Sequence, residues 1–337
     1  MNFYGGGSIL QAYENLAAGQ KLTASRAFLG MSHSPLMGLN PVSSSVERAL
    51  GEAIRAASDC VRQFDPQLVV LIAPDHYNGF FNQLMPTFCL GTEAQSLGDY
   101  GTPSGKINVD SECALGLAQH LVSNAFDIAV SRRMTVDHGF AQPLELLWGG
   151  LDTPPVIPIF LNAVAPPSIP STRRCVELGR RIGEFLSTTG LRTLTIGSGG
   201  LSHEPPIPTM THADPAIRER TIVPRTQTAA EHEERVRRVM AAGVALAQGT
   251  SPLKPLNPIW DRAWMSALET EDGLERIAAM SDSSISADAG LAAHESKTWV
   301  VARATLNAEA SRRASFTYYQ DIPEYIAGFG IMFKDQA

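Results

Sequence analysis

Short apolar runs alternate along this chain with segments of helical spacing. The runs at 26–31, 66–73, 155–161 and 193–197 have the length and branching of buried strands. Between them, 43–63 sets Val46, Leu50, Ile54, Ala57 and Val61 on one helix face, and 111–123 does the same with Leu115, Ala118, His120 and Leu121. Residues 172–188 are amphipathic, 125–131 reads as a further strand, and 143–148 as a short apolar helix. From 229 onward the spacing is helical, over 229–248, 258–269, 273–280 and 283–306, with extended or irregular chain at 318–323 and 326–333. This order predicts an α/β fold in three layers, a largely parallel central sheet flanked by helices, with a helical C-terminal part.

Two stretches between these elements read as loops. One, after the second strand, is rich in Gly, Asn and Pro, carries Phe80, Phe81, Met85 and Phe88, and leads to a polar, glycine-punctuated 99–108; the other, 204–224, holds prolines and charges and reads as a loop or lid. Residues 1–25 are rich in Gly and Ala with weak periodicity, so the expectation is an arm outside the core, followed by a single domain over 26–337.

Composition narrows the function classes. With 44% hydrophobic and 18% charged residues, a chain of 337 residues buries a sizeable core. Lys plus Arg is 27 and Asp plus Glu is 34, a net charge of −7, which argues against nucleic acid as a partner and for a small-molecule ligand. The four cysteines, Cys60, Cys89, Cys113 and Cys175, form no C-x-x-C pair and fit a reducing cytoplasm. No apolar run approaches the ~18 residues of a membrane span, and the N-terminus has no basic segment followed by an apolar one. The expectation is a cytoplasmic protein without a membrane partner.

Candidate chemistry gathers beyond the strands. In parallel sheets, sites collect past the carboxyl ends of the strands. His33, His76, His138 and His203 each follow an apolar segment and have Gly, Pro or Asp close by. Each alone reads more readily as a structural histidine; four at corresponding places point to one shared site. His120 and His232, inside helical segments, and His212, in the proline-rich loop, read as structural or solvated.

Glu295 falls on an apolar stripe of the expected helix 283–306, with Leu291, Ala292, Thr298, Trp299, Ala302 and Leu306. A buried carboxylate is paired, protonated or metal-bound, since burying it alone costs roughly several kcal/mol. A salt bridge is the plainer reading. His294 points about 100° away and is the poorer candidate. Two imidazoles and a carboxylate make the facial triad of non-haem Fe(II) oxygenases, with positions open for a bidentate substrate and O2. The spacing does not say which histidines bind metal, or separate iron from zinc.

The motifs MSHSPLMG (31–38), PDHYNGFF (74–81), VDHGFAQPLE (136–145), GSGGLSHEPP (197–206), LNPIWD (256–261), HESKTWV (294–300) and IPEYIAGFG (322–330) carry a resemblance. The chain resembles the class III (LigB-type) extradiol ring-cleavage dioxygenases over nearly all of its length after about residue 26. The resemblance implies Fe(II) held by His33, His76 and Glu295, with His138 and His203 as acid and base. It also implies a homo-oligomer, and a catechol and O2 as substrates, with 3-(2,3-dihydroxyphenyl)propionate and 2,3-dihydroxycinnamate as the catechols. The base is assigned to His203 and the acid to His138, with Asp137 orienting His138 and Glu204 raising the pKa of His203. Phe140, Pro205 and Tyr77 are candidates to wall the ring. The propionate arm calls for an Arg, a Lys or a cluster of backbone N–H groups that the sequence does not single out. A zinc hydrolase and a non-catalytic interaction protein on the same fold are the alternative readings.

Overall fold

The structure is a computed structural model that describes residues 25–224, 228–306 and 314–336. The expected N-terminal arm lies outside the described residues except for Ser25, whose carbonyl accepts the Thr193 N–H at 3.0 Å. In order, the first half contains β1 (Arg26–Met31), α1 (Ser44–Phe64), β2 (Leu68–Ala73), β3 (Phe88–Gly91), β4 (Ala94–Leu97), β5 (Ser104–Lys106), α2 (Ser111–Ser123), β6 (Ala129–Ser131), β7 (Met134–Val136), α3 (His138–Trp148) and β8 (Val156–Leu161). The second half contains α4 (Thr172–Thr189), β9 (Thr193–Ser198), α5 (Pro215–Ile222), α6 (Ala229–Ala247), α7 (Pro258–Ala267), α8 (Glu271–Ala278), α9 (Asp282–Ala289), α10 (Lys297–Ala304), β10 (Phe316–Ile322) and β11 (Ala327–Gln336).

The main sheet runs β10-β11-β1-β9-β2-β8-β3-β6, and β5-β4-β7 form a small second sheet. β1, β9, β2 and β8 are mutually parallel, and every residue in them is buried. Helices cover both faces, which is why these strands read as unbroken apolar runs rather than alternating ones. Successive side chains enter opposite cores: Val70 and Ile72 join Leu178, Ile182 and Val300 on one side, while Val69 and Leu71 join Leu50, Ala57 and Leu144 on the other.

Helix ends follow ordinary capping chemistry. Ser43 caps α1 by accepting the Val46 N–H, and Asp110 caps α2 by accepting that of Cys113. The buried face of α2 is Cys113, Ala114, Leu117, Ala118 and Leu121; Leu115, expected there, faces outward.

Three expectations are corrected. First, the 80–108 stretch holds three short strands: β3 pairs with β6 and β8 and β4 with β7, all distant in sequence, while β5 pairs with β4. Second, the C-terminal segment, expected to be extended or irregular, is extended and regular: a hairpin, β10–β11, that continues the sheet antiparallel to β1 with Met31 opposite Ile331. Third, no single helix spans 283–306. It breaks at Gly290 (φ 101°) into α9, a 3-10 turn over Leu291–Ser296, and α10, so Leu291 leaves the stripe and turns to solvent. A Cβ on Gly290 would lie 2.4 Å from the His203 carbonyl oxygen, so the break and the His203 loop are locked together.

Two glycines set the height of α10 over the sheet. A Cβ on Gly30 would meet the Trp299 ring at 2.2 Å, and one on Gly197 the Thr298 backbone at 2.6 Å. Without side chains there, α10 settles onto β1 and β9 and carries the preceding turn, with Glu295, to the carboxyl edge of the sheet.

Candidate active site

The strands deliver the histidines. β1 ends at Met31 and leads to His33, β2 ends at Ala73 and leads to His76, and β9 ends at Ser198 and leads through Gly199-Gly200 to His203. All three stand beyond the carboxyl edge of the parallel strands. His138 comes from elsewhere, as the first residue of α3 after β7 of the small sheet. Glu295 descends from the 3-10 turn against Gly199, where a Cβ would lie 2.8 Å from the Glu295 Cβ, and Gly200 N–H donates to Glu295 Oε2 at 3.1 Å.

Hydrogen bonds orient all four rings alike. His76 Nδ1 donates to Asp137 Oδ2 at 2.9 Å, His138 Nδ1 to Asp99 Oδ2 at 2.7 Å, and His203 Nδ1 to the Leu201 carbonyl at 2.9 Å. Ser198 donates its hydroxyl to the Gly139 carbonyl at 2.7 Å, so its oxygen is left to accept from His33 Nδ1 at 2.9 Å. Every Nε2 is thereby the free nitrogen. Three of them approach one carboxylate: His76 at 3.1 Å and His203 at 3.2 Å from Glu295 Oε1, and His33 at 3.6 Å from Oε2. The His76 and His138 rings stack with centroids 4.5 Å apart, and His33 meets both edge-on.

Electrostatics separates the rings. Burial pushes the His33 imidazole down to about 3, which makes it neutral, although Glu295 pulls the other way. Burial also disfavours charge on His76, but Asp137 and Glu295 outweigh it and the net shift is upward. His203 moves upward for the same reason, with Glu295 overcoming burial. Burial would raise the Glu295 carboxyl, yet His203, His76 and His33 hold it well below the usual carboxylate range. Neutral His33 therefore aims a lone pair at an ionised oxygen 3.6 Å away. Two facing lone-pair donors with no proton between them make a donor set whose chemistry fits a divalent metal.

Two role expectations are corrected. Asp137 does not orient His138: it binds His76 through Nδ1 and the backbone N–H, takes an Asn78 amide hydrogen, and caps α3 through Gly139 N–H. Asp99 orients His138, accepting from both its Nδ1 and its backbone N–H at 2.7 Å. Glu204 turns its carboxylate to the Leu291 N–H at 3.1 Å, and the anion that chiefly shifts His203 is Glu295.

The five side chains open into a cavity of about 930 Å³. Tyr77 and Pro205 line it, and Phe140, expected to wall the ring, is instead buried in the core. The 204–224 segment does reach the cavity, although it contains the helix α5. His294 stays outside, bonding Ser286 Oγ through Nε2 at 2.9 Å. His232, expected to be structural, lines the cavity with its ring 6.1 Å from that of Tyr100. Asp99, Ser198, Tyr100 and Arg235 belong to the site without having been expected there. Asp99 and Tyr100 lay in a stretch that showed only turn chemistry, and Ser198 looked like the end of a strand.

Residues 27–330 match the family model described as the catalytic LigB subunit of aromatic ring-opening dioxygenase. The chain is 57% identical over 312 residues, 92% of its length and 97% of the relative's, to the 2,3-dihydroxyphenylpropionate/2,3-dihydroxicinnamic acid 1,2-dioxygenase of Comamonas testosteroni. It is 45% identical over 305 residues to the protein of the same name from Rhodococcus sp, covering 90% of this chain and 96% of that one. Against the one from Escherichia coli (strain K12 / DH10B) it is 45% identical over 301 residues, covering 89% and 95%. With strand-borne imidazoles and a buried carboxylate meeting in one cavity, and with similarity over almost its whole described length, the chain belongs to the LigB family of aromatic ring-opening dioxygenases.

Proposed function

We propose that this enzyme opens the ring of 3-(2,3-dihydroxyphenyl)propionate and of 2,3-dihydroxycinnamate with O2, beside the two hydroxyls, to a 2-hydroxy-6-oxo-dienedioate. Its metal is Fe(II), held by His33, His76 and Glu295. The substrates are supported by relatives that carry these compounds in their names. The observation that carries the metal assignment is the neutral His33 Nε2 facing the ionised Glu295 Oε2 at 3.6 Å. His76 Nε2 lies 3.1 Å from the other oxygen, close to the roughly 3 Å between adjacent ligands that are each about 2.1 Å from a metal. His33, His76 and His138 also have ring nitrogens within 4.8 Å of one another. A set of those three would leave the buried Glu295 carboxylate outside the metal's ligands, with His203 as its remaining imidazole partner at 3.2 Å.

When bound, ferrous iron supplies the electronic route between the diol and O2, a redox role zinc lacks. The side chains handle protons. His203 Nε2, its ring held by the Leu201 carbonyl, faces the centre as the base that takes the proton of the second hydroxyl. His138 Nε2, its ring held by Asp99, returns a proton to oxygen as the ring opens. Fixed rings spare the reaction the cost of orienting its acid and base.

We place the enzyme in the cytoplasm as a homo-oligomer. Its four cysteines are free thiols, which fits a reducing compartment. Among the described residues, no helix is long and apolar enough to cross a membrane. The oligomer rests on the family resemblance.

The test is to load purified protein with Fe(II), add 3-(2,3-dihydroxyphenyl)propionate, and compare air with anaerobic buffer. A yellow ring-opened product forms only in air. His33→Ala and Glu295→Ala lose iron; His138→Ala and His203→Ala keep it and lose ring opening by on the order of 10²–10⁴-fold. Full iron retention by Glu295→Ala overturns the ligand set, and turnover without O2 overturns the reaction.

A further inference from the structure

On the wall of the cavity, α6 presents His232, Arg235, Arg238 and Val239 at three- and four-residue spacing, and α5 adds Arg220. Among the described residues, none of these three arginines is ion-paired to a carboxylate. Arg237, on the outer side of α6, takes Glu233 and Glu234. Arg235 instead donates to two neutral oxygens, Asn78 Oδ1 at 3.1 Å and the His76 carbonyl at 3.4 Å, with its guanidinium 5.8 Å from the centre of the Tyr100 ring. These contacts fix its direction without neutralising its charge. In a protein of net charge −7, one side of this cavity thus carries three arginines with no carboxylate partner among the described residues, while the two carboxylates on the same wall are engaged elsewhere, Glu231 with the Thr228 N–H and Glu234 with Arg237. Such an arrangement raises the local concentration of an anionic ligand and binds it by charge-assisted hydrogen bonds.

From these contacts we infer that Arg235 is the specificity-determining residue that anchors the side-chain carboxylate of the catechol, with Arg238 and Arg220 widening the positive field. The inference rests on the proposed ring-opening function and goes beyond it by assigning the anionic arm to named residues. Arg235 is the choice among the three because its guanidinium touches the backbone of His76, whose imidazole enters the centre. A two-carbon arm puts the carboxylate on the order of 6 Å from the adjacent hydroxyl oxygen, which is within reach of a cation seated beside the centre. Asn78 links the two regions, because it accepts from Arg235 and donates to Asp137, which holds the His76 ring.

The experiment compares kcat/KM for 3-(2,3-dihydroxyphenyl)propionate with that for 3-propylcatechol, which keeps the diol and lacks the carboxylate. Wild-type enzyme prefers the acid. In Arg235→Gln the acid-to-neutral ratio falls about ten- to hundredfold, mainly through KM, and Arg235→Lys recovers part of it. Metal-free protein is also titrated calorimetrically with 3-phenylpropionate, which cannot chelate; wild type binds it and Arg235→Gln binds it at least about tenfold more weakly. If Arg235→Gln fails to fold, Arg238→Gln lowers the same ratio by a smaller factor. An unchanged ratio in the folded variants, with both rate constants lowered alike, shows a structural role and overturns the inference. A wild type that opens 3-propylcatechol as efficiently as the acid overturns it while leaving ring opening intact. A wild type that opens neither ring sinks the proposed function itself.

Discussion

Replacing Ser198 by Ala removes one oxygen from the site and tests how the ligand geometry is set. Ser198 is fully buried, receives His33 Nδ1–H at 2.9 Å, and gives its own hydrogen to the Gly139 carbonyl at 2.7 Å. In the alanine variant a buried carbonyl and a buried N–H both lose their partner, at about 1–3 kcal/mol each. His33 relieves part of this by moving its proton to Nε2, the nitrogen that faces Glu295. Metal binding then has to reverse the shift and leave Nδ1–H unpaired, so it gives up about 1.4–2.7 kcal/mol, a ten- to hundredfold loss of affinity. The assay is an anaerobic Fe(II) titration of metal-free protein against a competing chelator, with urea unfolding of the same samples as a check on the fold. Affinity within about twofold of wild type, in a folded variant, would refute the claim that the hydroxyl sets the His33 tautomer.

Asp99→Asn keeps the shape of the side chain that holds His138 but puts an amide hydrogen on one of two acceptor positions; iron content stays constant in metal analysis while kcat falls by on the order of 10²–10⁴. Gly30→Ala drives a methyl into the Trp299 ring; thermal unfolding shows a loss of about 1–3 kcal/mol or more, and iron retention falls with it because α10 carries the Glu295 turn. An unshifted melting curve would mean that α10 has room to rise off β1.

Much of the architecture was legible because it rests on local pattern. The buried strands at 26–31 and 193–198 and the helices at 44–64 and 172–189 follow from apolar runs and helical spacing. The elements that escaped depend on partners far along the chain. β3 and β4 are four residues each; β3 gains its hydrogen bonds from β6 and β8, and β4 part of its own from β7, strands more than thirty residues away. The break at Gly290 was hidden for a similar reason, since the 3-10 turn still places Glu295 among buried residues while its geometry is set by the His203 loop.

The sequence by itself determined the chemical inventory: four imidazoles beside strand ends and one carboxylate in apolar company, because side-chain chemistry and hydrophobic period are properties of short segments. Tertiary structure alone decided which acid holds which base. Asp137 and His138 are neighbours in the chain, yet Asp137 reaches His76 and leaves His138 to Asp99, thirty-nine residues away. Hydrogen bonds act over about 3 Å, so a ring's partner is whatever the packing of strands and helices brings within that distance. The same holds for Arg235, an ordinary residue of a charged helix until α6 is laid against the cavity.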